Sequence, residues 1–339
     1  SKQYLMNPVN ETPQKKLFHY LKGIIPKDKS LADCLTEWLH VSSDSAYRRI
    51  RGETPLTVDE LMVIAEATGM SANELLGMTS QNAVLFEPTQ AGISSPDLHS
   101  YLKHIQHHLQ ILDAFDEKEM IYCSKDLPIF HFFLYPELMA FKYHFWMQII
   151  LQREDFENKM FSLEQPDAAD LQLMKNIAGL YAGLPSIEIW NTESVNSTLF
   201  QIEYFRTAGY IENSSVIKTL YEQLQELVAF VSKQAEMATK FLPGQNPEMK
   251  PKNFQLFYNQ VCLADNTMLA TTSSGTVSVI NYGILNYLTC YDQDFCATVA
   301  KDIENIMKRS TKLSEGNVRH RTMFFNAINE KINRYKKLI

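Results

Sequence analysis

Three guanidinium groups fall within five residues at Tyr47-Arg48-Arg49-Ile50-Arg51, with no acid among them. Such planar forks suit two acceptors, the O6/N7 edge of guanine and the oxygens of phosphate. Just upstream, Ser43, Asp44 and Ser45 add short hydroxyl and carboxylate groups. A carboxylate there would accept from a cytosine amino group and repel phosphate. The order of these residues divides the work: Ser43, Asp44, Ser45, Tyr47 and Arg48 reach base edges. Arg49 and Arg51, nearer the far end, suit phosphate contacts, which position a protein without specifying sequence.

Side chains can act this way only on a helix that buries one narrow stripe and exposes the rest. Ala46 and Ile50, at i and i+4, supply the stripe, and the small Ala46 lets a neighbouring helix approach closely. Leu35 and Leu39 mark the apolar face of a preceding helix, and Val41 fills the turn His40-Val41-Ser42 between the two. Two short helices joined by a turn of three or four residues, the second polar and arginine-bearing, meet the requirement of a helix-turn-helix.

Around this pair, residues 13–77 read as five short helices. Leu17, Leu21 and Ile24/Ile25 share a face, and Pro26 stops that helix. Ser30-Leu31-Ala32-Asp33, Thr57-Val58-Asp59-Glu60 and Ser71-Ala72-Asn73-Glu74 have capping-box spacing, and Gly52, Gly69 and Gly77 close helices. Residues 78–97 lose periodicity and collect Ser, Thr, Gln, Pro and Gly, as a linker does. Leu98, Leu102, Ile105, Leu109 and Leu112 then form a two-heptad seam, suited to pairing two copies or docking on the next domain.

Residues 98–339 mix the two periodicities. Met120–Ser124 and Ile187–Trp190 look like single strands, while Asn253–Leu263, Thr267–Thr272 and Thr276–Asn281 alternate as strands. Ala264-Asp265-Asn266 and Ser273-Ser274-Gly275 read as the hairpin turns between them. Helical spacing covers 136–151, 167–181, 192–207, 214–240, 294–309 and 317–335. The fold class expected is therefore mainly α: a small five-helix domain, then a larger helix-rich α+β domain with a short antiparallel sheet.

Other chemistry-bearing residues are explained more simply. His104, His107 and His108, with His99 upstream, place imidazoles at helical spacing, but no Cys or carboxylate stands at a companion ligand distance, so they read as a solvated face. Asp292 and Asp294, near Cys290 and Cys296, complement a helix dipole. Ser273 lacks the G-x-S-x-G context of a nucleophile. The aromatic run Phe130, Phe132, Phe133, Tyr135, Phe141, Tyr143, Phe145 and Trp146 reads as core rather than pocket. Lys308-Arg309 and Arg319-His320-Arg321 read as solvated helix ends. No dinucleotide, phosphate-loop or zinc-protease motif is present, so no cofactor, no metal and no enzymatic activity are expected.

A net charge of −7 excludes a protein that coats nucleic acid by bulk electrostatics. Residues 1–77 are close to balanced, with nine Lys/Arg against ten Asp/Glu, so the arginine trio stands out locally. No apolar run reaches the ~18–20 residues that span a bilayer. Five cysteines without paired motifs, and a start lacking a secretory apolar stretch, lead to the expectation of reduced thiols in the cytoplasm.

The string Ser45-Ala46-Tyr47-Arg48-Arg49-Ile50-Arg51-Gly52-Glu53 resembles the recognition helix of lambda-repressor-like, Xre-type regulators of bacteria. Leu56-Thr57-x-x-Glu60-Leu61 and Gly69-Met70-Ser71-x-x-Glu74-Leu75-Leu76 resemble the fourth and fifth helices of that family. The resemblance covers about residues 13–77 and implies a sequence-specific DNA-binding domain acting on transcription, with Ser43–Arg51 in the major groove of double-stranded DNA. This chain departs from the many members that start both motif helices with Gln, having Ser30/Leu31 and Ser43/Asp44 instead. Lys125–Phe130 and Pro136–Trp146 are similar to the companion domain of the same regulators, without implying a mechanism.

A single short helix on a near-neutral domain binds weakly, so a homodimer is expected, with the Leu98–Leu112 seam as part of the contact. The larger domain is then the place for dimerisation and for any small-molecule effector. Two other classes remain open on sequence alone: a protein-interaction adaptor, or an enzyme localised by the helix-turn-helix.

Overall fold

Side-chain caps set the helix boundaries of the N-terminal part. In the computed structural model, which describes residues 12–25, 30–70, 72–76, 84–88, 98–163, 167–211, 213–261 and 265–339, the chain divides into two compact units, Ser1–Val84 and Leu85–Ile339. Pro26, the capping box opened by Ser71, Gly77, Cys262, Ala264 and most of the stretch read as a linker lie outside the described residues.

In the first unit, α1 (Pro13–Ile24) starts at Thr12, whose hydroxyl accepts from the Lys15 amide. Helix α2 (Leu31–Leu39) starts at Ser30, whose hydroxyl accepts from the Asp33 amide at 3.1 Å. The Asp33 carboxylate accepts from that same hydroxyl at 2.6 Å, so the serine caps the helix backbone while the aspartate holds the capping hydroxyl. Helices α3 (Ser43–Arg51), α4 (Val58–Thr68) and α5 (Ala72–Leu75) follow. Thr57 and Glu60 form a complete capping box at the start of α4. Leu17, Leu21, Leu35, Ala46, Ile64 and Leu75 are buried together at the centre.

The second unit is built on one eight-stranded mixed sheet. Its strands are β1 (Glu87–Pro88), β2 (Lys118–Ser124), β3 (Ser186–Trp190), β4 (Phe254–Tyr258), β5 (Thr267–Thr272), β6 (Gly275–Asn281), β7 (Tyr287–Cys290) and β8 (Thr311–Lys312), in the order β1-β7-β6-β5-β2-β3-β4-β8. The centre is parallel, β2 beside β3 beside β4, and the other pairings are antiparallel. Parallel neighbours need long crossovers. Helices α7 (Ile129–Phe132), α8 (Pro136–Phe145) and α9 (Ala168–Gly183) connect β2 to β3. Helices α10 (Asn196–Thr207) and α11 (Ser214–Met237) connect β3 to β4.

Three expectations are corrected by this architecture. The fold is not mainly α with a short antiparallel sheet, because the sheet is large, mixed and central. All five residues of β3 are buried. Tyr122 and Trp190 face the main helical core, while Cys123 and Ile189 face a second cluster with Ile303 of α12 (Gln293–Lys308). A strand covered on both faces is a short apolar run, and such runs do not announce their neighbours. The expected hairpin across Ala264-Asp265-Asn266 does not form, since β2 and β3 lie between β4 and β5. The hairpin at Ser273-Ser274 does join β5 to β6, with Thr272 opposite Gly275.

The third correction concerns only the dimer contact expected of the seam, since its other expected role, docking on the following domain, is the one the structure shows. Helix α6 (Leu98–Asp113) buries Leu98, Leu102, Leu109 and Leu112 in the core of its own unit, packed against α9. That face is covered by the same chain and is not available to a second copy. The aromatic run is core as well: Phe130, Phe132, Phe133, Phe141, Phe145 and Trp146 are buried, with Tyr135 and Tyr143 packed at its margin. Helix α13 (Val318–Lys336) completes the layer through Phe324, Phe325 and Ile328. No helix among the described residues is long and apolar enough to cross a membrane.

Candidate nucleic-acid interface

Helix α3 follows α2 after a three-residue turn, and the turn begins with a left-handed residue. His40 has φ 51° and ψ 41°, which reverses the chain so that Ser42 can cap the next helix. The Ser42 hydroxyl accepts from the Ser45 amide at 3.3 Å. At the other end Gly52, at φ 76°, closes α3, and its amide and that of Glu53 reach back to the Arg49 and Arg48 carbonyls. A side chain at Gly52 would be strained in that conformation and would press on the Lys15 stem, whose Cε lies 3.3 Å from the Cβ position.

Ala46 is fully buried between the helices and Ile50 is half-buried, as the stripe requires. Ser43, Asp44, Tyr47, Arg48 and Arg51 are exposed, Tyr47 by 47% of its surface. Arg48 makes no ion pair or side-chain hydrogen bond among the described residues, so its guanidinium is free to meet a ligand. Ser45 and Arg49 are half-buried.

Arg49 differs from its neighbour in having its donors taken. Its Nη2 donates to Glu60 Oε1 at 2.6 Å and its Nε to Glu60 Oε2 at 3.2 Å, with side-chain exposures of 12% and 19%. Its Nη1 donates to the Ser45 hydroxyl at 2.9 Å and the Ser45 carbonyl at 3.1 Å. The structure therefore places Arg49, expected at phosphate, as a brace between α3 and α4. The Arg49 hydrogen bond, helped by the amide and hydroxyl of Thr57 against the opposing effect of burial, holds the Glu60 carboxyl below the usual carboxylate range. Glu60 thus serves twice, as the capping residue of α4 and as the anchor of α3.

Arg51 is exposed and paired with exposed Glu53 at 2.6 and 3.0 Å. A phosphate would have to take the place of that carboxylate. Asp44, in the first turn of α3, sits where the helix dipole favours an acid, so its position has a structural reason as well.

The sequence left one residue and one pairing unmarked. Gln14 of α1 donates through Nε2 to the Arg49 and Thr54 carbonyls, both at 2.8 Å, and its Oε1 accepts from the Leu56 amide at 2.9 Å. One amide side chain therefore ties the exit of α3 and the loop to α4 onto α1. The Arg49–Glu60 pair was missed too, although Thr57-x-x-Glu60 did mark Glu60 as a capping residue. Neither contact follows a helical or strand period.

The residues set aside as metal or catalytic candidates divide differently. His99 Nδ1 lies 2.7 Å from Asp170 Oδ1. Asp292 caps α12, its carboxylate accepting from the Phe295 amide at 2.8 Å. Among the described residues no three His, Cys, Asp or Glu side chains cluster as a metal site.

Among curated proteins and among solved structures, none matches this chain. Residues 21–113 match the BetR domain family, from within α1 to the last residue of α6. That domain is of the helix-turn-helix, DNA-binding regulator kind, and the match supports a DNA-binding regulatory role for the chain.

Proposed function

We propose that this chain is a sequence-specific transcriptional regulator of the lambda-repressor-like, Xre type, which lays α3 in the major groove of duplex DNA. The reading rests above all on the outer face of α3, where Tyr47 and the unpaired Arg48 stand exposed within a braced helix-turn-helix. Ser43, Asp44, Tyr47 and Arg48 face base edges, with Arg48 able to grip a guanine through two hydrogen bonds. Arg51 exchanges Glu53 for a phosphate, while Ser45 and Arg49 hold the helix in place. The chain acts by binding rather than by catalysis. It works as a dimer joined through the second unit by a surface other than the α6 seam, so that two α3 helices meet half-sites roughly 34 Å apart.

The test is a selection from random duplex DNA at two salt concentrations, followed by titration of the winning site. An enriched two-fold-related sequence, bound ~5–150-fold more weakly after Arg48→Ala, is the expected result. A pool that stays random at low salt, or equal binding by Arg48→Ala, overturns the reading and leaves an adaptor. A scattering mass of one chain at micromolar concentration removes the dimer alone.

A further inference from the structure

His104 and His108 stand one turn apart on α6, and their Nε2 atoms are 3.0 Å apart. The same His104 nitrogen lies 2.6 Å from the hydroxyl of Tyr287 on β7. A neutral imidazole nitrogen carries either one proton or one in-plane lone pair, so it can serve only one partner well. His104 Nε2 faces two. Three donor atoms from two elements, separated by 183 residues between His104 and Tyr287, therefore meet around His104 Nε2.

A divalent ion at that point would take a lone pair from each atom at once. Two nitrogens at this separation can both lie ~2.0–2.1 Å from one ion and subtend roughly 95° there. That angle suits the tetragonal and octahedral sites of nickel and copper, and imidazole also suits zinc. The rings stand at 77° to one another with centroids 4.4 Å apart, so they approach from different directions and do not stack. His108 is exposed, which leaves a side of the ion open to water.

We infer that His104, His108 and Tyr287 form a binding site for a divalent transition-metal ion that ties α6 to β7. Sequence spacing showed the two histidines but no third ligand, because Tyr287 reaches the site through the sheet. The site is independent of DNA recognition by α3.

The test uses the untagged full chain, stripped by chelator and titrated calorimetrically with nickel chloride and zinc chloride. One ion per chain is expected. His108→Ala and His104→Ala should each weaken binding by at least the ~10–100-fold that losing even an outer-shell partner costs. Tyr287→Phe should weaken it less and should change the visible spectrum of the cobalt-loaded chain. His107→Ala, the neighbour outside the convergence, should bind as the parent does. Circular dichroism checks that each variant is folded. Absence of saturable uptake, an unchanged affinity in His108→Ala, or an equal loss in His107→Ala each overturns the site.

Discussion

The two units use buried polar groups for different ends. In the first, the half-buried Arg49–Glu60 pair and Gln14 stabilise a surface, holding α3 so that its outer side chains stay free. In the second, polar groups are buried for the sake of the core itself. Glu188, wholly buried in the middle of β3, accepts from His131 at 2.9 and 3.0 Å, from Trp190 at 2.8 Å and from the Tyr181 hydroxyl. Lys240 lies 3.6 Å over the Tyr181 ring, with no hydrogen-bond partner for its Nζ among the described residues, beside a cavity with room for about one water. A brace can be tested by what it positions, whereas a buried network is tested by what its loss does to folding.

The largest effect should come from Glu188→Ala. Burial pushes this carboxyl up, but the His131 charge, the His131 and Tyr181 hydrogen bonds and the Lys240 charge outweigh it and hold the group below the usual range. Removing the carboxylate strands three donors and a buried ammonium, a loss of about 3–5 kcal/mol in the second unit. Hydrogen exchange should report it along β3, with the first unit unchanged. A loss below about 1 kcal/mol would show that the network contributes little.

Lys240→Met should act in the opposite direction. Desolvation lowers the Lys240 pKa to about 7, offset in part by the Glu188 charge. The folded state therefore releases the proton that the unfolded chain keeps up to about 10.4. Since the unfolded chain binds more protons across this window, the penalty of the lysine is full below about pH 7 and fades as pH rises toward the unfolded value. The substitution should stabilise the second unit by at most about 4 kcal/mol at pH 6, and by much less at pH 10. A gain that is flat with pH would assign the effect to packing alone.

The adjacent arginines sharpen the comparison within one helix. Glu60→Ala removes a charge-assisted pair and half a capping box, so it should destabilise the first unit by roughly 2 kcal/mol. Because the Glu60 pKa is depressed on folding, this stabilisation is intact above its ordinary value of 4.5 and is lost as pH falls through the folded value. Arg49→Ala should reproduce most of the loss, and the two together should be less than additive in a double-mutant cycle. Arg48→Ala should change stability by under about 0.5 kcal/mol while losing about 1–3 kcal/mol of binding to the selected DNA. If Arg48→Ala unfolds the unit as readily as Arg49→Ala, the division between reader and brace fails.

The same contrast explains what the sequence disclosed. Helices α2, α3 and α4 are short, capped by their neighbours in sequence and striped by Leu35, Ala46 and Ile64, so local spacing carried nearly all the information. The exposure of Tyr47 and Arg48 followed from the buried stripe. The engagement of Arg49 did not, since its partner is eleven residues away on another helix. In the second unit the strands β2 and β3 were visible singly, but Ile121 beside Ile187 and Ser186 beside Phe254 are pairings set by crossovers, which no local period encodes. The seam was visible as a stripe, and what covers it was not.

The smallest expected effect concerns the turn that orients α3. His40 occupies the left-handed region at φ 51°, a conformation that costs an ordinary residue about 1–2 kcal/mol. His40→Gly relieves that strain but gives the unfolded chain more freedom, which takes back part of the gain. The net should be a stabilisation of at most about 0.5 kcal/mol, near the resolution of a denaturant titration followed by hydrogen exchange in α2 and α3. Affinity for the selected DNA should not change, because the backbone path and the outer face of α3 are preserved. A destabilisation would show that the imidazole itself supports the turn, and a loss of affinity without one would add His40 to the residues that meet DNA.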